Sequence, residues 1–218
     1  MCQETKAYPM TNTHILLHEF DYLEPATLQE AVALLNRYQG QAQVLAGGTY
    51  LLVNLKQEHK APQAVVRIGQ LAELHGISWE SGQLALGALQ TIREVSLSPA
   101  VRAEYQALAE ACAAFGSMQI QMMGTIGGNV CNGSPASDGV PALLAYDAQL
   151  HLVGPHGERR VSLADFLLGP GKTAIKTGEV LTRILLPRPQ AHTGSAFIKI
   201  SRVQADLAKV SAAAVIVR

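Results

Sequence analysis

Two glycine pairs, Gly47-Gly48 and Gly127-Gly128, constrain this chain more than any other feature of its sequence. Each pair precedes a segment with helical patterning, and glycines at such a place let backbone amides approach an anion because no β-carbon intervenes. The second pair lies between Thr125 and Asn129, so a hydroxyl, a side-chain amide and several free amides would fall within five residues. This donor set suits a pyrophosphate. The alternative is that each pair simply makes a tight connection.

Five common nucleotide-binding, catalytic and metal-binding motifs are absent from the 218 residues. Neither glycine pair forms GxGxxG, and a P-loop ending at Lys172-Thr173 would need glycine where Phe166 stands. The chain contains no GxSxG, HExxH or CxxC, and its three cysteines cannot make a zinc or iron–sulfur ligand set. We therefore predict no metal site and no catalytic residues in this chain.

Composition and charge narrow the possible partners and the location. Lys and Arg number 17, as do Asp and Glu, and the basic residues are scattered. That balance disfavours a nucleic-acid partner. No apolar run approaches the roughly 20 residues that cross a bilayer, and the first twenty residues lack the apolar stretch of a signal peptide. We expect a cytoplasmic protein without a membrane span, since its cysteines form no disulfide framework. Cys112 is expected to be a small apolar core residue.

Local signals predict a small α/β unit with parallel strands over residues 20–68. The sequence Thr27-Leu28-Gln29-Glu30 is a capping box, in which the Thr27 hydroxyl and the Glu30 carboxylate each satisfy a backbone amide, and Gly40 ends the helix. The elements predicted to follow are a short buried strand, a helix capped by Thr49 and a second strand, over Gln43–Leu45, Tyr50–Lys56 and Ala64–Ile68.

The rest of the chain is predicted to mix hairpins and helices. Thr91-Ile92-Arg93-Glu94 repeats the capping-box signature. The predicted helices are Pro99 to about Phe115 and Pro141–Tyr146. The predicted hairpins pair 76–79 with 83–87 and 149–153 with 159–163, and further strands are expected over 180–186, 195–200 and 210–217.

The glycine segments resemble a known pair of motifs. Ala46-Gly47-Gly48-Thr49-Tyr50-Leu51-Leu52 and Thr125-Ile126-Gly127-Gly128-Asn129-Val130-Cys131-Asn132-Gly133 are similar, with their spacing, to the FAD-binding motifs of the molybdenum hydroxylase flavoproteins, the medium subunits of xanthine dehydrogenase and carbon monoxide dehydrogenase. Segments 20–27, 134–138, 169–172 and 179–181 look like the bacterial xanthine dehydrogenase FAD subunit. The resemblance covers roughly residues 18 to 210.

The resemblance implies an α+β fold of the vanillyl-alcohol-oxidase (PCMH) type with two α/β subdomains. The FAD-binding domain would occupy residues 1–178, with subdomains at about 1–68 and 69–178. Residues 179–218 would end that domain and begin a C-terminal α+β domain, which continues in family members and would be truncated here. We therefore expect another cover, in an oligomer or a partner contact, for the apolar faces of the strands predicted over 180–186 and 210–217.

The resemblance also assigns site residues. The segment around the FAD pyrophosphate would be Val44, Leu45, Ala46, Gly47, Gly48, Thr49, Tyr50 and Leu51, and the second motif would add Thr125, Gly127, Gly128 and Asn129. Phe115 would lie by the flavin, Leu181 would pack against its rings, Asp138 would make a polar contact, and Lys199 is the candidate basic residue, with a register open by one. Phe115 and Leu181 could instead be ordinary core residues, and Asp138 could be a helix N-cap.

By the same resemblance, the chain would be an electron-transfer subunit that is not active alone. A molybdenum-cofactor large subunit would oxidise the substrate, and a [2Fe-2S] small subunit would pass electrons to FAD, which would reduce NAD⁺ or another acceptor. One alternative keeps this fold but replaces a purine substrate by carbon monoxide, an aldehyde or another heterocycle. Another is a scaffold protein without FAD.

Overall fold

The computed structural model describes Leu16 and residues 18–218. Its first part is a three-stranded parallel sheet in the order β1-β3-β2, with one helix on each face. The elements are β1 (Asp21–Leu23), α1 (Leu28–Arg37), β2 (Ala42–Leu45), α2 (Leu51–Lys56) and β3 (Ala64–Arg67), followed by a 3₁₀ turn (Ala72–Leu74). The predicted parallel α/β unit is therefore confirmed.

Helix α1 begins where its capping signal indicates. The Thr27 hydroxyl accepts a hydrogen bond from the Glu30 N–H, while the Glu30 carboxylate accepts from the N–H of Ala26, one residue before the position predicted. The buried face of the helix packs on the sheet through Leu28, Ala31, Val32 and Leu35. The chain leaves the helix through positive φ angles at Gln39 and Gly40, in agreement with the predicted glycine stop.

Two local expectations in this unit are wrong. Strand β2 lies at the sheet edge and is partly exposed, with Val44 at 37%, because β3 rather than β2 occupies the centre of the sheet. The side chain of Thr49 makes no capping hydrogen bond to α2, whose N-cap residue is Tyr50. The amides at the start of α2 are therefore not satisfied by a side-chain cap.

The second part begins with a hairpin and continues with six short helices. The predicted hairpin and the Thr91–Glu94 capping box are both confirmed. The elements are β4 (Ile77–Glu80), β5 (Gln83–Gly87), α3 (Ile92–Leu97), α4 (Pro99–Glu104), α5 (Gln106–Ala113), α6 (Met118–Met123), α7 (Ile126–Asn132) and α8 (Gly139–Ala145).

The single helix predicted from Pro99 to Phe115 is wrong, because the chain breaks at Tyr105, where φ is −131° and ψ is 55°. The Tyr105 ring is fully buried, and its hydroxyl donates to the carbonyl oxygens of Leu186 (3.3 Å) and Pro187 (3.0 Å). A buried phenol needs such an acceptor. The sequence pattern could not reveal the break, since Val101, Leu108 and Cys112 are buried on both sides of it.

A five-stranded antiparallel sheet in the order β4-β5-β10-β6-β7 supports these helices. The predicted hairpin across residues 154–157 is confirmed, as are the three later strands. The remaining elements are β6 (Gln149–Gly154), β7 (Gly157–Ser162), α9 (Leu163–Phe166), β8 (Leu167–Gly169), β9 (Lys172–Thr173), β10 (Val180–Pro187), β11 (Thr193–Ile200) and β12 (Val210–Val217). Within residues 18–218, no helix is both long and apolar enough to cross a bilayer.

The two apolar strands for which we expected an external cover differ in their surroundings. Strand β10 lies at the centre of the five-stranded sheet and is buried along most of its length, so the fold itself covers it. Strands β11 and β12 form a separate hairpin that packs one face on helices and turns the other outward. That outward face is apolar, with Ile198 and Ile216 about two-thirds exposed.

Candidate functional site

The two glycine segments lie side by side. A β-carbon built on Gly47 would lie 1.8 Å from the carbonyl oxygen of Met123, and one built on Gly124 would lie 3.6 Å from the Thr49 hydroxyl oxygen. Position 47 therefore has no space for a side chain, and glycine there allows one backbone to pack directly against the other. The first glycine segment meets the chain just before Thr125, where the second begins.

The first glycine segment carries unused hydrogen-bond donors. Within residues 18–218, the backbone N–H groups from Gly47 to Leu51 have no acceptor, and the first backbone bond beyond them runs from the Leu52 N–H to the Gly48 carbonyl. Gly48 has φ +73°, a left-handed conformation that glycine adopts without strain. Consecutive free amides in such a loop form a concave site for an anion.

The second glycine segment differs from its prediction, because its amides are already used. The N–H groups of Ile126 and Gly127 donate to the carbonyls of Gln90 and Ala88, at 2.9 Å each, and the Gly128 N–H donates to the Thr125 hydroxyl. The segment is the capped first turn of α7 rather than an open turn. A β-carbon on Gly127 would lie 2.6 Å from the Ala88 carbonyl oxygen, so this glycine serves close packing.

The groups of the second segment that remain available to a ligand are few. Gly128 is exposed, and a β-carbon there would meet only the Thr125 hydroxyl oxygen within 4 Å. The Asn129 Oδ1 accepts from the Ser137 hydroxyl at 2.7 Å, which leaves the Asn129 Nδ2 without an acceptor among the described residues. A ligand at this end would therefore contact the Asn129 side-chain amide and the exposed Gly128, and not a row of free backbone N–H groups.

Asp138 and Lys199 form a buried ion pair. The Lys199 Nζ lies 2.9 Å from Asp138 Oδ2 and donates also to the carbonyl of Ala114 at 3.1 Å, and both charged side chains are more than nine-tenths buried. Burial raises the pKa of Asp138, and Lys199 opposes that shift. Asp138 occupies the N-cap position of α8, as the alternative proposed, but its side chain makes no capping hydrogen bond there. Its Oδ1 is buried and has no hydrogen-bond partner in the described part of the chain.

Phe115 and Leu181 are brought to this region by different contacts. Phe115 follows α5, next to the Ala114 carbonyl that receives Lys199, and its own carbonyl accepts a hydrogen bond from Gln121. Leu181 is buried on β10 beside a bulge, in the same core cluster as Ile126 of α7. Both residues pack in this core, as the ordinary-core alternative proposed.

Several residues that hold the site together were not predicted. The backbone of Met123 packs against Gly47, and the Ala88 carbonyl accepts a hydrogen bond from the Gly127 N–H. The Gln121 side chain donates from Nε2 to the carbonyls of Ala113 (3.1 Å) and Phe115 (2.9 Å). Met123 and Ala88 act through backbone atoms, which leave no trace in a sequence pattern. The sequence did offer a signal for Ser137, which donates to Asn129 Oδ1, because Ser137 belongs to the 134–138 segment that resembles the family. Among the described residues, no cluster of three or more His, Cys, Asp or Glu could hold a metal ion.

Comparison with known proteins gives this arrangement a family. Residues 18–189 match the model of the FAD binding domain in molybdopterin dehydrogenase. Similar curated proteins include the nicotinate dehydrogenase FAD-subunit of Eubacterium barkeri, 36% identical over 190 residues that make up 85% of this chain and 64% of the relative. Another is the xanthine dehydrogenase FAD-binding subunit of Escherichia coli O157:H7, 35% identical over 88% of this chain and 67% of the relative.

Solved structures agree with the sequence comparison. A Cu,Mo-CO dehydrogenase in its cyanide-inactivated form superposes with a TM-score of 0.87 at 35% identity, covering 90% of this chain and 68% of the other. Quinoline 2-oxidoreductase from Pseudomonas putida 86 gives 0.84 at 30% identity, with 89% and 67% covered. The fold is therefore the PCMH-type FAD-binding fold that the sequence predicted. The chain spans about two thirds of the length of the curated relatives that it matches. It belongs to the family of FAD-binding domains of molybdopterin dehydrogenases.

Proposed function

We propose that this chain is the FAD-holding electron-transfer subunit of a cytoplasmic, molybdenum-dependent hydroxylase of the xanthine dehydrogenase type. In this proposal it receives electrons from a [2Fe-2S] small subunit and delivers them to NAD⁺ or another acceptor, while a molybdenum-cofactor large subunit oxidises the substrate. The observation that carries the proposal is the contact between Gly47 and Met123, which joins five backbone amides without an acceptor in residues 18–218 to the second FAD motif of the family.

The residues present fit FAD at both ends of the region. The FAD diphosphate is anionic and offers only acceptors, which the free N–H groups of Gly47 to Leu51 match. The isoalloxazine N3–H and the ribityl hydroxyls are donors, and Asp138 Oδ1 is a buried acceptor to which no group among the described residues donates. The two unsatisfied sets are complementary to the two polar parts of this cofactor.

The proposed roles of the remaining residues follow from their positions. Asn129 Nδ2 and the uncovered Gly128 would border the cofactor beside the first glycine segment. Lys199, fixed by Asp138 and the Ala114 carbonyl, would supply a positive charge near the flavin, and Phe115 and Leu181 would exclude water from its rings. FAD, when bound, exchanges electrons singly or in pairs, and the protein holds it and tunes its potential.

The test of FAD binding uses protein expressed with ample riboflavin. We expect the purified chain to be yellow and to release FAD on denaturation. Gly128→Trp should lose the flavin, because Gly128 is exposed and the new side chain would occupy ligand space. Its β-carbon would lie 2.8 Å from the Thr125 hydroxyl oxygen that caps α7, so the flavin content is compared at a temperature where thermal unfolding shows the variant to be folded. Gly194→Trp is the matched control, since nothing lies within 4 Å of a β-carbon there. A colourless, well-folded wild type would favour the scaffold alternative and contradict the proposal.

The substrate assignment requires the partner subunits. Relatives at 35–36% identity include FAD or medium subunits of nicotinate, carbon monoxide and xanthine dehydrogenases. Affinity purification from the native host, followed by assays of the complex with xanthine, nicotinate, carbon monoxide and aldehydes, tests the xanthine-type assignment. Activity with one of the other three and none with xanthine would replace it.

A further inference from the structure

A lysine that the FAD motifs do not include lies beside the first glycine segment. The Lys60 Nζ donates to Gln43 Oε1 at 2.7 Å and lies 5.9 Å from the centroid of the Tyr50 ring. Gln43 belongs to the strand β2 that leads into the glycine segment, and Tyr50 carries one of its unused amides. Lys60, which follows α2 in the chain, therefore contacts both the strand before this segment and a residue within it.

The charge of Lys60 has no counter-ion among the described residues. Elsewhere in the fold, the buried Lys199 pairs with Asp138 and the partly buried Arg159 pairs with Glu179. Lys60 is half-buried, and its close polar contacts are a neutral amide and an aromatic ring. Burial lowers its pKa, and no carboxylate opposes that shift. A partly desolvated ammonium without an anion is unfavourable, and a bound anion would relieve that cost.

The position of this cation favours an anionic ligand over a structural role. A lysine that served only to pack its stem could extend its ammonium into water, as Lys56 does at the exposed end of α2. Lys60 instead turns its ammonium toward Gln43 and the ring of Tyr50, a residue whose own backbone amide has no acceptor within residues 18–218. Neutral amide donors and a lysine point charge together make a diphosphate site that is stronger than either alone.

We propose that Lys60 is a further cofactor-binding residue, whose ammonium, held by Gln43 and Tyr50, contacts the diphosphate in the adenylate half of FAD. The proposal rests on the proposed function, because it takes the glycine segment as the diphosphate site. It adds a charged residue to a site whose other donors are backbone amides. The ligand class recognised by this part of the site is a nucleoside diphosphate, so ADP should compete with FAD.

The experiment compares FAD binding by deflavinated wild type, Lys60→Gln, Lys60→Arg and Lys56→Gln, by flavin fluorescence at several salt concentrations. We expect Lys60→Gln to weaken FAD and ADP binding about tenfold or more and to reduce the salt dependence of the Kd. Lys60→Arg, which keeps the charge, and Lys56→Gln, which removes an exposed charge, should stay within about threefold of wild type. Riboflavin, which lacks the diphosphate, should bind all four proteins equally.

The outcomes separate this inference from the function on which it rests. Wild type that takes up no FAD would contradict the proposed function. Wild type that binds FAD, with Lys60→Gln showing the same Kd and the same salt dependence, would overturn the role of Lys60 and leave the proposed function intact. If Lys60→Gln weakened riboflavin as much as FAD, Lys60 would be shown to act on the fold rather than on the diphosphate. Matching unfolding temperatures of the four proteins would confirm that they are comparable.

Discussion

The α-carbon of Gly47 faces the carbonyl oxygen of Met123 at a distance that admits no side chain, since a β-carbon would lie 1.8 Å from that oxygen. The contact joins the loop after β2 to the end of α6 and thereby joins the parallel unit to the helical part of the molecule. A backbone-to-backbone contact of this kind cannot relax by a change of rotamer. A side chain added at position 47 must therefore push the loop after β2 and the end of α6 apart.

Gly47→Ala is therefore expected to lower the free energy of unfolding by at least about 1–3 kcal/mol, the cost that is typical of overpacking. It should also abolish FAD retention. The reason is that Met123 would have to move away and take the start of α7 with it. Flavin content and urea unfolding measure the two effects. Gly69→Ala is the control, because the nearest atom to a β-carbon there is the flexible Arg67 Nε at 3.8 Å. Equal flavin content in the two variants would contradict the convergence of the glycine segments.

The buried Asp138–Lys199 pair predicts a strong asymmetry between single and double substitutions. Lys199→Met should cost about 3–5 kcal/mol of unfolding free energy, because it leaves a buried carboxylate without its cation. The double variant Asp138→Leu, Lys199→Met should recover most of that loss. Chemical denaturation at neutral pH measures both, and simple additivity of the two substitutions would show that the pair is not coupled.

The stability of the Lys199→Met variant should depend on pH in a distinctive way. Burial raises the pKa of Asp138, so without Lys199 the folded state prefers the neutral acid. The folded state then binds a proton that the unfolded state has released, and stability falls as pH rises above the ordinary aspartate range of about 4. The destabilisation of Lys199→Met should therefore shrink on acidification. A destabilisation independent of pH would indicate lost packing instead.

The contribution of Glu179 to stability should change in the opposite direction, because it is lost on acidification. Burial works against its charge, but hydrogen bonds from Arg159 and from the Lys176 N–H lower its pKa below 4.5. Its contribution to stability is present above pH 4.5 and is lost as pH falls through the lower folded-state pKa. Glu179→Gln should remove that component of acid unfolding and cost about 1–3 kcal/mol at pH 7. Thermal unfolding of both proteins between pH 3 and 7 provides the measurement, and parallel curves would contradict the assignment.

The two cysteines of the described chain should be inert in the native state. Burial raises the pKa of Cys112 to about 12, with a smaller contribution from Asp138, and burial alone raises that of Cys131 to about 12. The thiolate fraction at pH 8 is then roughly one in ten thousand. In a Cys2→Ser background, a thiol reagent should label neither cysteine until denaturant is added. Fast labelling of Cys112 in the native protein would contradict its burial, and fast labelling of Cys131, which is partly exposed, would contradict its raised pKa.

Local structure was readable because its determinants are local. The two capping boxes, the two hairpins and the three late strands depend on side chains a few residues apart, and all were found at or near their predicted positions. The broken helix at Tyr105 was missed because its cause is the Leu186 and Pro187 carbonyls, about 80 residues later in the chain. Apolar periodicity is the same for one long helix and for two short ones that bury the same face.

The sequence by itself determined the α/β unit, the family and the cofactor, because glycine pairs and caps are signatures that a chain carries in its residue types. Tertiary structure alone decided which amides stay free. Those of Gly47 to Leu51 find no partner within residues 18–218, whereas those of Ile126 and Gly127 are taken by Gln90 and Ala88. Two similar motifs thus receive different roles, since a backbone donor is available only where no distant carbonyl reaches it, and backbone carbonyls are the same in every residue.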